Sequence, residues 1–335
     1  MNKKILIISN DKIFINKDKI STDYNDTINI IEGLAKKNHL NFICKNTSKI
    51  KNFKTIKKIY KKFKKKNFLN LRENFNKYKV FMISITPFNF LLFIFIKIFN
   101  KEIKGYVYLR SDGHKEYYYK YGVIGKFFYN LMFKIVTNYL DILSVSRHLS
   151  GLKKNYTLIK PSEIEKRWFF KRKKADLKRP KLLYLGRYKK EKGVISMRNI
   201  FNSINFNFEL NIVGLKKNIK SDDNKIKFFK EVDSTQKIIN FYDKCNIFIL
   251  PSFTEGAPKV ILESLARYRP VIVFEEIKHV KENLRGVFVC KRKTRNLTNK
   301  VHFIMNNYKN IVNDIKKNKI QTKKQFQNKL SVIFQ

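Results

Sequence analysis

Acidic residues are scarce in this chain. Only 26 aspartates and glutamates stand against 73 lysines and arginines in 335 residues, a formal charge of +47 at pH 7. Such an excess suits nucleic acid, an anionic membrane or a phosphorylated substrate. The lysines recur in every segment and form no single patch, so most of the charge reads as compositional bias. No groove-reading helix or aromatic platform motif accompanies it, and no nucleic-acid partner is expected. Cysteine is scarce too. Cys44, Cys245 and Cys290 are odd in number and lack metal-ligand spacing, which fits a reducing compartment.

Long apolar runs are also missing. A membrane span needs about 20 predominantly apolar residues. "VFMISITPFNFLLFIFIKIF", from Val80, reaches that length only by including Pro87, Asn89 and Lys97. It reads instead as a buried strand to Thr86 followed by a very apolar helix from about Asn89. The start, "MNKKILIISN", has too short an apolar run for a secretory segment and reads as a first strand. A cytoplasmic location is expected, with peripheral contact to the inner face of the cell membrane as an extension.

What is present is an alternation of strand and helix, in a chain that is 43% hydrophobic and long enough for two domains. The first half offers "ILII", "NFIC", "VFMISIT", "GYVYL" and "DILSVS", with helical patterns between them; "NDTINIIEGLAKK" carries Asp26 or Thr27 as a cap before Ile28, Ile31 and Leu34. The second half repeats the rhythm with "KLLYLG", "FELNIVG", "KIKFF", "NIFILPS", "PVIVF" and "GVFVC". This predicts an α/β protein of two doubly wound parallel sheets. The expected domains are 1–160 and 181–315, with a basic linker at 161–180 and a terminal helix at 316–335 that crosses back to the first domain. Ligands of such sheets bind beyond the carboxyl ends of the strands. "RSDGH", "GRYKKEKG" and "PSFTEG" fall at such ends.

In "LYLGRYKKEKG", Gly186 permits a sharp turn, and Arg187 and Lys192 follow at a spacing that returns both over the strand end. A guanidinium clamps a phosphate in bidentate fashion and a lysine adds a mobile point charge. In "PSFTEGAPKVILESLA", Pro258 fits the first turn of a helix. The backbone amides of Gly256, Ala257 and Lys259 would then face an anion at the helix start. Glu255 precedes the helix and is placed to accept from sugar hydroxyls. Glu263 lies about two turns along, in an apolar setting where an idle carboxylate would be costly.

These stretches, with "NIVG" and "PVIVF", make residues 181–290 resemble the carboxy-terminal domain of retaining group 1 glycosyltransferases of family 4. The resemblance implies the GT-B fold: two Rossmann-like domains facing an interdomain cleft, the first for acceptor and the second for donor. It implies metal-independent transfer from a nucleoside-diphosphate sugar to a hydroxyl of a glycan or lipid-linked saccharide, as in surface polysaccharide or lipopolysaccharide assembly, with no cofactor. Glu255 would contact the transferred sugar, Glu263 the ribose, and Arg187 and Lys192 the diphosphate. An epimerase or hydrolase of nucleotide sugars would use the same fold.

Two departures stand out. "ISNDKIFINKDKIST" lacks the glycine-rich turn that the family often has after its first strand, and Arg269 replaces a small residue before "PVI", a change expected only to alter a turn. In "YLRSDGHKEYYYKYG", Asp112 or His114 would touch donor sugar or acceptor; a surface Asp-Gly turn is the competing reading. Tyr117 to Tyr119 would stack on a sugar or pack in the core. Finally, "KNFKTIKKIYKKFKKKNF", from Lys51, carries Phe53, Ile56, Tyr60 and Phe63 at helical spacing, a basic amphipathic helix suited to an anionic bilayer.

Overall fold

The computed structural model describes residues 4–16, 19–22, 25–45, 54–56, 64–65, 77–150, 155–215 and 224–334. The chain divides into two units, residues 1–163 with 323–335, and residues 164–322.

The first unit is built on β1 (Lys4–Asn16), β2 (Lys19–Thr22), α1 (Asn25–Ala35), β3 (His39–Lys45), β4 (Lys54–Ile56), β5 (Lys64–Lys65), β6 (Tyr78–Ile83), α2 (Pro87–Phe99), β7 (Gly105–Leu109), α3 (Gly113–Tyr139), β8 (Asp141–Ser144) and β9 (Tyr156–Leu158). The runs read as strands are apolar enough to be covered on both faces, and Ile5 to Ile8 and Val80 to Ile83 are buried. They pair in parallel in the order β3-β1-β6-β7-β8-β9. Where a glycine-rich turn was missing from the sequence, β1 runs on. Its residues Ile13 to Asn16 pair antiparallel with β2, which pairs in turn with β4.

Local chemistry sets the element ends. Thr86 caps α2 by accepting from the Asn89 amide at 3.2 Å, and Pro87 takes the first helical position. Asn89 Nδ2 then donates to the Ile83 and Ser84 carbonyls at 2.9 and 2.8 Å, which uses both hydrogens of the one amide group in an otherwise apolar run. Among the described residues no helix is long and apolar enough to cross a membrane. The helix α1 begins at Asn25, so Asp26 and Thr27 lie inside its first turn and do not cap it; the Thr27 hydroxyl donates to Asp11 instead. The expected amphipathic helix from Lys51 is corrected where it can be seen, because 54–56 and 64–65 are short strands paired with β2 and β3. The rest of that stretch lies outside the described residues.

The second unit contains β10 (Lys181–Leu185), α4 (Val194–Asn202), β11 (Glu209–Leu215), β12 (Ile226–Lys230), α5 (Thr235–Lys244), β13 (Ile247–Leu250), α6 (Lys259–Ala266), β14 (Val271–Phe274), β15 (Val287–Cys290), α7 (Thr294–Asn306) and α8 (Tyr308–Lys316). All six strands are parallel, in the order β12-β11-β10-β13-β14-β15. This is the strand order of a doubly wound nucleotide-binding sheet. A last helix, α9 (Lys323–Ile333), returns to the first unit, where Gln327 donates to Glu32 of α1 at 2.7 Å.

Residues 164–180, expected as a linker, belong to the second unit. Three arginines hold them there. Arg267 is 1% exposed; its guanidinium pairs with both carboxylate oxygens of Asp243 at 2.9 and 2.8 Å and donates to the carbonyls of Trp168, Phe170 and Lys171. Arg269, 2% exposed, donates to the carbonyls of Tyr242, Arg267, Lys173 and Asp243. Arg172 bonds the Ala266 carbonyl at 2.8 Å and lies 4.0 Å from the Tyr268 ring. Arg269 therefore does more than alter a turn: it ties the 164–173 segment onto the end of α5.

Candidate functional site

The strand order of the second unit reverses between β10 and β13: β11 and β12 lie beyond β10, β14 and β15 beyond β13. Connections leaving two such strands diverge and open a crevice at their carboxyl ends. Two loops flank it, 186–193 after β10 and 251–258 after β13.

The first loop is shaped by close approaches. The Gly186 amide donates to the Val213 carbonyl at 3.0 Å, and Gly214, at φ +121°, sits where a Cβ would fall 2.0 Å from the Gly186 oxygen. The Tyr184 hydroxyl donates to the Arg187 carbonyl at 2.9 Å and so fixes the turn. Burial first, and the Glu255 charge second, raise the Tyr184 phenol far above its ordinary range, so it stays a donor. Residues Lys190–Lys192 form a single 3-10 turn that ends at Gly193 in the left-handed region, φ +65°.

The two loops are joined directly. The Phe253 amide donates to the Glu191 carbonyl at 3.0 Å, and a Cβ on Gly193 would lie 1.9 Å from the Pro251 oxygen. Between these contacts Lys192 Nζ stands 2.7 Å from Glu255 Oε1, and the Ser252 hydroxyl donates to the same oxygen at 2.6 Å. The loop after β14 adds His279, whose Nε2 lies 2.9 Å from the Glu255 carbonyl; a carbonyl only accepts, so Nε2 carries the proton. Arg292, just after β15, donates to the Pro251 carbonyl at 2.8 Å and to Glu276 at 2.7 Å, with its guanidinium about 4 Å from the Phe253 and Phe274 rings. Among the described residues, the buried Thr254 hydroxyl beside Glu255 has no partner in the protein. The ends of β10 and β13 thus bring one carboxylate and one ammonium together, and residues after β14 and β15 brace the backbone of the Glu255 loop.

The remaining residues singled out in this stretch are placed as follows. Arg187 is exposed at the rim of the same loop, and its guanidinium makes no hydrogen bond or ion pair among the described residues. Gly256 and Ala257 lie in the loop, and Lys259 opens α6. Pro258 occupies the cap position, at φ −69° and ψ 117°, so α6 starts one residue later than expected. Glu263 is 8% exposed and accepts from the Tyr242 hydroxyl of α5 at 3.0 Å. Burial, followed by the Glu263 charge, holds the Tyr242 phenol well above its usual range, which keeps it donating. Ser252, His279, Arg292 and Tyr242 were not anticipated from the sequence. Ser252, three residues before Glu255 in "PSFTE", was the one with a readable signal.

Asp112 and His114 belong to the first unit. Asp112 caps α3 by accepting from the Lys115 amide at 3.1 Å, and its other oxygen lies 3.1 Å from His148 Nε2. The His114 ring meets Tyr129 and Phe133 edge-on at 4.7 and 5.1 Å. Desolvation there lowers the His114 pKa, against the Asp112 charge that raises it. Both residues line an open pocket of about 320 Å³ with Lys115, Tyr118, Lys126 and His148. Tyr117 packs on Tyr129, whereas Tyr118 and Tyr119 are exposed.

Residues 179–307, the stretch that carries this crevice, match the family model for glycosyl transferases group 1. The matched stretch covers most of the second unit. The whole chain is also similar in fold to solved structures at low identity. Sucrose-phosphate synthase from Thermosynechococcus elongatus superimposes with a TM-score of 0.70 at 13% identity, over 99% of this chain and 98% of that one. HepE of Anabaena, in complex with UDP-glucose, gives 0.66 at 8% identity over 99% of both chains. WaaG, a glycosyltransferase involved in lipopolysaccharide biosynthesis, gives 0.61 at 11% identity over 98% and 99%. Together they show the GT-B fold. None of the curated protein sequences compared is a match.

Proposed function

We propose that this protein is a retaining glycosyltransferase of family 4. It moves a sugar from a nucleoside-diphosphate donor to a hydroxyl of a glycan or lipid-linked saccharide on the cytoplasmic side of the membrane. The observation that carries the reading is the Lys192–Glu255 pair, with Ser252, where the strand order turns between β10 and β13. The match of residues 179–307 supports the reaction class, and the UDP-glucose bound in the HepE structure supports a nucleotide-sugar donor.

Charge develops on the leaving diphosphate as the bond from the anomeric carbon to the phosphate oxygen breaks. Lys192 is held at that strand end, and Arg187 stands at the rim of its loop. Both therefore act where negative charge grows. Glu255 accepts from hydroxyls of the transferred sugar, with Lys192 and Ser252 fixing its orientation. The amides of Gly256, Ala257 and Lys259, around Pro258 at the start of α6, face the sugar and phosphate. Glu263 takes the ribose, with Tyr242 orienting the carboxylate. The acceptor oxygen forms the new bond to the anomeric carbon and its proton passes to the departing phosphate, so the scheme assigns no side chain as base and draws on no metal. Asp112 and His114, at the pocket of the first unit, are proposed to meet the acceptor.

Calorimetric titration with a panel of nucleoside diphosphates and their sugars tests donor binding. The anomeric configuration of the product, read by proton NMR, tests retention. Inversion would remove the family 4 assignment and leave the donor site standing.

A further inference from the structure

The chain has a single tryptophan, and it lies two contacts from the carboxylate assigned to the ribose. Trp168 sits in a 3-10 turn, Lys166–Phe169, close to where the chain enters the second unit. Its ring meets the Tyr242 ring edge-on, with centroids 5.8 Å apart. The hydroxyl of Tyr242 lies 3.0 Å from Glu263 Oε2 and 3.2 Å from the Val260 carbonyl. A phenol has one proton to donate, so these two acceptors of α6 share it and hold the oxygen between them. The tyrosine is fixed from its other end as well. Arg269 donates to the carbonyls of Tyr242 and Asp243 at 3.0 and 3.2 Å. Arg267 pairs with the Asp243 carboxylate and donates to the Trp168 carbonyl at 2.9 Å, so one guanidinium grips both α5 and the turn that carries the indole. Trp168, Tyr242 and Glu263 are 2%, 0% and 8% exposed. They form one buried chain from an indole to a carboxylate.

We propose that Trp168 is a positioning residue for the ribose site, setting the Tyr242 ring and, through its hydroxyl, the Glu263 carboxylate. The inference rests on the reading that Glu263 takes the ribose. A carboxylate that accepts from two ribose hydroxyls must be held in place, because a hydrogen bond weakens steeply as its angle opens. Close packing supplies the hold: in a core of crystal-like density one ring does not shift without moving its neighbour. The three side chains come from three separate elements, the turn, α5 and α6, so their alignment is a tertiary property. The diphosphate, by contrast, is assigned to Arg187 and Lys192 on the loop after β10. The coupling therefore acts on the nucleoside and leaves the pyrophosphate subsite alone. A tryptophan that only filled space under α5 would affect stability and treat both parts of the ligand alike. Being the single indole, Trp168 also reports on this site through its emission.

The test is calorimetric titration of the full chain with UDP, GDP and ADP and with inorganic pyrophosphate. It compares the parent with Trp168→Leu, Trp168→Phe and Tyr242→Phe, with melting temperatures taken in parallel. Trp168→Leu should weaken the nucleoside diphosphate that binds the parent by about two- to tenfold, the range of one aromatic pair. Tyr242→Phe should weaken it by about tenfold, as expected for a hydrogen bond to a charged group. Trp168→Phe keeps a ring against Tyr242 and should restore most of the affinity. Pyrophosphate has no ribose and should bind all four proteins alike. In the parent, Trp168 emission should change with the calorimetric midpoint. A ligand-free readout covers variants of lowered stability. In urea unfolding followed by circular dichroism, Trp168→Leu and Glu263→Gln should be non-additive by at least about twofold in the unfolding constant. Unchanged nucleotide affinity in Trp168→Leu, an equal loss for pyrophosphate, or additivity in the unfolding cycle would each overturn the proposal while leaving the donor site standing. Absence of any nucleotide binding to the parent would overturn the ribose reading and this proposal with it.

Discussion

Gly193 lies against the backbone of Pro251 so closely that a Cβ on it would stand 1.9 Å from the Pro251 oxygen. This contact joins the loop that carries Lys192 to the loop that carries Glu255. The residue also holds a left-handed φ of +65°. Gly193→Ala should therefore meet both backbone strain and a clash, lowering stability by about 1–3 kcal/mol and lowering kcat. Denaturant unfolding and turnover, measured together, check it. Unchanged values in both would mean that the loops are not held as described.

Arg187 and Glu263 should separate in their kinetic signatures. An interaction that strengthens as the diphosphate gains charge appears in kcat, and one made equally in ground and transition states appears in KM. Arg187→Ala is expected to lower kcat by about 10²–10³, whereas Glu263→Ala mainly raises the KM for donor. Equal losses in kcat, with donor affinity unchanged, would contradict that division.

The buried arginines make a stability prediction of their own. Asp243→Ala leaves the Arg267 guanidinium uncompensated at 1% exposure and should destabilise the fold by about 3–5 kcal/mol. Arg172→Ala removes a carbonyl bond and a contact with the Tyr268 ring at a half-exposed site, and should cost less. Chemical unfolding of the two variants ranks them, and the reverse order would refute the staple.

The cysteines give a pH prediction. Burial pushes the Cys245 thiol up to about 12 and the Cys290 thiol up to about 11, from an ordinary value of 9.0. Both pKa values are higher in the folded chain, so their contribution to stability is complete below pH about 9. It is lost as the pH climbs through 11 and 12. At pH 8 the thiolate fraction of Cys245 is on the order of one in ten thousand. Iodoacetamide should therefore label the half-buried Cys44 first in the native protein, as read by peptide mass spectrometry. Prior labelling of Cys245 would show that the second unit opens more readily than its core implies.

Much of the fold was legible because its strands are continuous apolar runs bounded by turn residues. "NIFILPS" and "PVIVF" became β13 and β14, each buried along its whole length. Glu255 and Lys192 could be singled out because a carboxylate in a loop before a helix, and a lysine after a Gly-Arg turn, are local patterns. Arg267 and Arg269 could not. In a chain with 73 basic residues a buried arginine has the same local sequence signature as a solvated one, and only the carbonyls that it meets, nearly a hundred residues away in the case of Trp168, set it apart. The bend of α3 at Gly122 was hidden for a related reason. A lone glycine in a helical run is ordinarily tolerated, and the fold-back at Gly122 depends on what Gly113 and Gly125 meet in three dimensions. His279 and Arg292 reach the site from separate strand ends and share no spacing with Glu255.

The most direct test of the central claim is calorimetric titration of the parent chain and of Arg187→Ala/Lys192→Ala with UDP, GDP and ADP and their sugars, with melting temperatures taken in parallel. The account predicts that at least one donor binds the parent, and that the double variant binds it more than about tenfold less tightly at an unchanged melting temperature. Equal affinity in the double variant, or no binding of any nucleotide to the parent, would contradict it.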